Sequence, residues 1–184
     1  MAENIVSLDE LDVLLADFVQ EKLNLSSDKV LISYAERGQK FPQIGENVVY
    51  VKTFQEQDER IRWKSRKKTY NEETKTYSIT QYSMRTLLFH MVFYGPDSFM
   101  LATKMNELFY FDSSKQFLYK NNLSLIPDLT DFVEKTYEQI NGQWWSRTDL
   151  KIRFYNSIAT VEDTGTIDSL NTKYYYDDIK IING

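Results

Sequence analysis

Cysteine is absent from this chain and histidine occurs once, at His90. Without thiols there is no disulfide and no thiolate metal site. With one imidazole, neither a His-rich zinc site nor the usual nucleophile–histidine triad can be assembled. His90 itself lies in the apolar run Leu87–Phe93, where a satisfied core imidazole is expected. Glycine is scarce, at six residues, and none fall in the spacing GxGxxG or GxxxxGK(S/T). That excludes the known phosphate cradles. No run approaches the roughly 18 apolar residues that span a bilayer. Met1 to Leu8 lacks the basic and apolar regions of a signal peptide. Paired acids occur at Asp9-Glu10, Glu72-Glu73 and Asp177-Asp178. Adjacent acids point apart in a helix or strand, whereas acid–base and two-metal chemistry needs separated carboxylates in a cleft. The expectation is a soluble protein of a reducing cytoplasm, with no catalytic apparatus, cofactor, metal, membrane or small-molecule substrate.

What is present suits a folded, interacting domain. Hydrophobic residues are 42% of the 184, enough for one substantial core. Aromatics reach 15%, with 13 Tyr. Aromatics fill and decorate β-rich cores, and Tyr is also enriched at protein interfaces. Net charge is −5, so the whole surface is not a nucleic-acid glove. The charge is uneven. Residues 1–28 carry seven acids against one base, and residues 60–75 carry seven bases against two acids. An acidic end and a basic arm can attract copies of the same chain or a polarised partner.

Ser7 and Glu10 form a capping-box signature, followed by apolar residues at helical spacing from Leu11 to Val19. This predicts a helix over 8–24, stopped by Asn24 to Asp28. Short strands are predicted at Val30–Tyr34 and Val48–Phe54. Residues 55–94 read as a long β-hairpin turning at Asn71 to Thr74. Its distal half is polar and must project; its proximal half, Leu87–Phe93, is apolar on both faces and must be central. Pro96 near the first helical position and Asp97 in the first turn start a helix, with Phe99, Ala102, Met105, Leu108 and Phe109 as its buried stripe. Asp112-Ser113-Ser114 caps a shorter helix near 114–120. Leu123–Pro127 is extended, and residues 128–140 fit either helix or strand. Trp144–Tyr155 is a strand with Leu150, Ile152 and Phe154 on one face. Asp163-Thr164-Gly165 breaks the segment that follows, and residues 173–182 form a last strand. The order is that of one α+β domain over 1–184, with an antiparallel or mixed sheet flanked by helices and a protruding hairpin.

Residues 60–68 carry the sharpest local signal. On a strand, Arg60, Arg62, Lys64, Arg66 and Lys68 share a face and make a positive ribbon about 26–27 Å long. Three readings fit it. Nearby Trp63, Tyr70, Tyr77 and Tyr82 can stack on bases, giving a nucleic-acid-binding module. The ribbon can dock on an acidic protein neighbour. It can also be a solvated edge that prevents aggregation.

The stretch Leu87 to Tyr94, Gly95-Pro96-Asp97 and Ser98-Phe99 resembles the strand, turn and helix of the tail- or neck-terminator proteins of tailed bacteriophages. Gln143-Trp144-Trp145-Ser146-Arg147, followed by Asp149 to Tyr155, is similar to that family's Trp and Arg before a strand opening on Asp. Asp128-Leu129-Thr130 and Gly165 to Leu170, which contains Ile167-Asp168, extend the likeness over about residues 30–170. The hairpin at 60–80 is longer than in a minimal member, and residues 173–184 have no counterpart in this likeness.

The resemblance implies a virion protein of the tail or neck, assembled in the host cytoplasm. It implies a hexameric ring that stops tail-tube polymerisation and presents a surface to the head connector. In contractile tails it also implies contact with the sheath. Partners are then copies of itself, the tube protein, the connector and, in such tails, the sheath. A ring requires one patch to meet an unlike patch. For the docking arm the expectation is Arg60, Arg62, Trp63, Lys64 and Arg66. Its complements on the first helix are Asp9, Asp12 and Asp17. Trp144, Trp145 and Arg147 are expected to hold the fold or a subunit edge.

Overall fold

The computed structural model describes residues 7–33, 43, 45–56, 64–127 and 133–164. Helix α1 spans Leu8–Leu23. The Ser7 Oγ accepts the Glu10 N–H at 3.1 Å, and the Ser7 N–H donates to the Glu10 carboxylate at 2.8 Å. Both orphan donors of the helix start are thus satisfied locally, as the sequence indicates. Asn24 ends the helix in the left-handed conformation at φ 54°.

Strand β1 is Val30–Ile32 and β2 is Val48–Glu56; they pair in parallel. Strand β3 is Lys64–Asn71 and β4 is Thr76–Tyr94, paired antiparallel as the expected hairpin. The side-chain oxygen of Asn71 accepts the Glu73 N–H at 3.0 Å, which sets the turn. Helices α2 (Ser98–Phe109) and α3 (Asp112–Lys120) follow, then β5 (Leu123–Ile126), β6 (Glu134–Ile140) and β7 (Gln143–Thr164). The sheet order is β1-β2-β4-β7-β5, with β3 also on β4 and β6 also on β7. This is the expected α+β class with a mixed sheet.

Strand β4 is the spine. Its second half pairs with β2 from Thr86 to Tyr94, and its first half pairs with β3 from Thr76 to Ser83. On its other edge β7 follows it from Tyr77 to Tyr94. The distal hairpin is therefore a three-stranded arm rather than a two-stranded ribbon. Two strands alone are marginal in water, and the third supplies the missing support.

The helices cover one face of the sheet. Leu11, Leu15 and Val19 of α1 and Ala102, Met105 and Phe109 of α2 are fully buried with Val49, Val51, Phe89, Met91, Phe93, Leu150, Ile152 and Phe154. Phe18 lies 5.4 Å from Phe109, which lies 5.8 Å from Phe154, so one aromatic column joins both helices to β7. Each such side chain contributes about 1.5–3 kcal/mol on burial.

Several expectations are corrected. The apolar half of β4 is buried on one face only. Leu87, Phe89, Met91 and Phe93 are buried, while Leu88, His90, Val92 and Tyr94 are partly exposed, because among the described residues no helix covers their side. His90 is thus not in the core. Phe99 is 47% exposed; Ser98 takes the inward position at the start of α2. Asp97 is the N-cap of α2, so Pro96 precedes the helix. Helix α3 begins at Asp112 after Phe111, with no side-chain cap. Residues 134–140 are strand, closed onto β7 by Asn141 (φ 50°) and Gly142 (φ 77°). Two successive positive φ values are the signature of a type I′ hairpin turn. Strand β7 continues to Thr164, well past Tyr155. Residues 165–184, including the expected strand at 173–182, lie outside the described residues.

Candidate functional site

The arm carries the described part of the basic ribbon. Strand pairing sets Lys64 opposite Ser83, Arg66 opposite Gln81 and Lys68 opposite Ile79, so the three cations share a face. All three are exposed. The Arg66 Nε donates to the Gln81 side chain at 3.1 Å, and Lys68 Nζ stands 4.0 Å above the Tyr77 ring. Tyr70 lies 4.7 Å from Tyr77. Neither the Arg66 nor the Lys68 contact is with an acid, so they leave the charge of the ribbon in place. Arg60, Arg62 and Trp63 lie outside the described residues.

On α1, Asp9 and Asp17 are exposed and Asp12 is buried. The Asp12 carboxylate accepts the Thr53 backbone N–H at 2.6 Å and the Lys52 ammonium at 2.6 Å. Strand β1 stops at Ile32, and the Ser33 N–H donates to Val51 O. Past that point Asp12 takes over as acceptor for the edge of β2. The hydrogen bond to Asp12 holds the Lys52 ammonium above its ordinary pKa. Asp9 also lies 3.7 Å from Lys52. Among the described ion pairs, none joins an arm cation to Asp9, Asp12 or Asp17.

The two tryptophans separate. Trp144 is 70% exposed near the β6–β7 turn; Trp145 is buried, edge-on to Tyr94 at 6.2 Å. Arg147 lies on the same sheet face as Trp145. Its Nε and Nη2 donate to the two oxygens of Asp149 at 2.6 and 2.8 Å, and its Nη1 donates to Glu138 at 3.0 Å. The Tyr94 hydroxyl donates to Glu138 at 2.6 Å, and His90 Nε2 is 3.1 Å from Asp149 Oδ2. Burial pushes the Asp149 carboxyl up, but the hydrogen bonds from His90 and Arg147 win and hold it at about 2. Burial and the Glu138 acceptor hold the Tyr94 hydroxyl well above its usual range. This network ties β4, β6 and β7 together on the face away from the helices.

His90 and Asp149 make the one pairing here that resembles acid–base machinery. Arg147 grips both oxygens of that carboxylate, so the geometry serves cross-linking of strands. Among the described residues, no three His, Asp or Glu converge as metal ligands would. The Arg147 network was not readable from sequence, since Glu138 and Tyr94 are brought to it only by strand register. The Asn141-Gly142 dipeptide was the local signal that could have revealed β6.

An α+β body whose internal charges bind one another, extended by an exposed strand arm, has the makings of a structural assembly subunit. The chain belongs to the bacteriophage family described as phage neck terminator protein, whose profile it matches over residues 9–178. The match takes in α1 and reaches Asp178, so it is wider at both ends than the likeness drawn from sequence motifs. A search of curated proteins finds no match.

Proposed function

We propose that this chain assembles with copies of itself into a ring of six that ends the tail tube and joins it to the head connector. The family supports a structural role in the neck. The observation that carries the reading further is the three-stranded arm, with Lys64, Arg66 and Lys68 exposed on one face. Closing a ring requires unlike patches on one subunit. The arm is the basic patch, extended in sequence by Arg60, Arg62 and Trp63. Asp9 and Asp17 on the exposed face of α1 are the acidic one. Asp12 is engaged inside the subunit and takes no part. The outer partners are the tube protein, the connector and, in contractile tails, the sheath. Assembly takes place in the host cytoplasm and the product resides in the virion neck.

Sedimentation velocity and negative-stain imaging test this. The wild-type chain forms rings, alone at high concentration or on tail tubes. The K64E/R66E/K68E variant keeps its thermal midpoint and loses the rings. Wild-type protein that stays monomeric and does not bind tubes overturns the reading. Steeply salt-dependent DNA binding through the same cations, with assembly unaffected by K64E/R66E/K68E, would move the arm to the nucleic-acid reading.

A further inference from the structure

Strand β5 ends the sheet. Leu123–Ile126 pair with β7 on one side, and among the described residues no strand pairs with the other side. Beside that open edge runs α3, and between them lies a cavity of about 620 Å³. Its floor is Leu118, Leu123 and Leu125, its wall is Tyr119, and Lys115 and Lys120 stand at its rim. Leu118 and Leu123 are buried and Leu125 partly so, while Tyr119 is 78% exposed. An unpaired backbone edge, apolar slots beside it and a cationic rim are what an added extended strand requires.

We propose that this groove receives residues 171–182 of a neighbouring copy as an added strand. The segment is Asn-Thr-Lys-Tyr-Tyr-Tyr-Asp-Asp-Ile-Lys-Ile-Ile. Tyr175, Asp177, Ile179 and Ile181 fall on one side of a strand, and the three apolar ones suit the apolar floor. Asp177, on that same side, matches Lys115 and Lys120 in charge. The direction of β7 leads away from its own β5. Strand β7 leaves β5 at Asn156 and runs to Thr164 at the end of the arm, about 26 Å farther on. The segment therefore departs from the element that the ring reading sets against the next subunit. The inference rests on that reading, and it adds a second, strand-exchanging contact to the charged one.

The natural chain has no cysteine, so any disulfide reports introduced thiols alone. Full-length S124C chains, whose thiol faces away from the floor, are mixed with differently tagged full-length chains carrying Y176C, D178C or K180C, and then oxidised. The expected result is a mixed-tag cross-linked dimer with one of the three. In parallel, K115E/K120E weakens self-association at least tenfold, and adding D177K to it restores association. Two outcomes overturn the inference while leaving the ring reading intact: assembled rings with no cross-link between the two kinds of chain, or a cross-link that forms only within one chain carrying both thiols. Wild-type copies that never associate remove both.

Discussion

Asp12 and Thr53 are separated by 41 positions, yet the carboxylate of one accepts the backbone N–H of the other at 2.6 Å. A helix side chain thereby continues the hydrogen bonding of a sheet edge where strand β1 has stopped. The same carboxylate holds Lys52.

Replacing Asp12 by Ala removes the acceptor for a buried N–H and the partner of Lys52 together. The expected loss is about 2–4 kcal/mol. Asn keeps an acceptor for Thr53 and costs about half as much. Urea denaturation of both variants measures this, and equal losses would show that the backbone bond is unimportant.

Gly95 adopts φ +113°, and a Cβ there would meet the Glu46 carbonyl, with Asn47 Oδ1 at 2.5 Å and Asn47 Cα at 2.8 Å. Gly142 also has positive φ but faces open space. Gly95→Ala is expected to cost more than about 3 kcal/mol, through strain and overlap together. Gly142→Ala costs about 1–2 kcal/mol from backbone strain alone. Thermal melts of the two variants rank them directly.

Trp145→Ala should cost about 3–4 kcal/mol, because it empties a buried site against Tyr94. Trp144→Ala should fall within about 0.5 kcal/mol of wild type. A large stability loss at Trp144 would mean that its ring is covered within the subunit.

Acid stability follows from Asp149. Its folded value of about 2 lies below the ordinary 3.8. A lowered carboxyl contributes stability that is complete above the ordinary value and is lost as pH falls through the folded one. The contribution is of order 1 kcal/mol after solvent screening and should vanish between about pH 4 and pH 2. Asp149→Asn should flatten the stability–pH curve in that window; an unchanged slope would assign the acid transition elsewhere.

Local signals were readable in the sequence and long-range ones were not. The capping box at Ser7 and Glu10 fixed the start of α1 because both partners lie within one turn. The Asn71 turn and the alternation of Leu150, Ile152 and Phe154 were equally local. The stretch from Asn156 to Thr164 is polar and mixed, and its strand state comes from pairing with residues 77–85 of β4. Asp12 looked like an exposed acid because its partners, Lys52 and Thr53, are brought to it only by folding. Phe99 looked buried by period, but Ser98 takes the inward position, its hydroxyl 3.0 Å from that of Ser146 on β7. Of the charged surfaces, the alternation of Lys64, Arg66 and Lys68 was legible; the support of β7 on the other edge of β4 was not.

The ladder between β4 and β7 runs for eighteen residue pairs without interruption, from the arm's end at Tyr77 to Tyr94 in the body. A tug on the arm along its length is therefore a shearing load, shared by every rung at once. Peeling, which would break rungs one by one, needs a sideways pull. Such a lever is stiff in tension and yields at its tip, so mechanical stress arriving there passes into the aromatic column of the body.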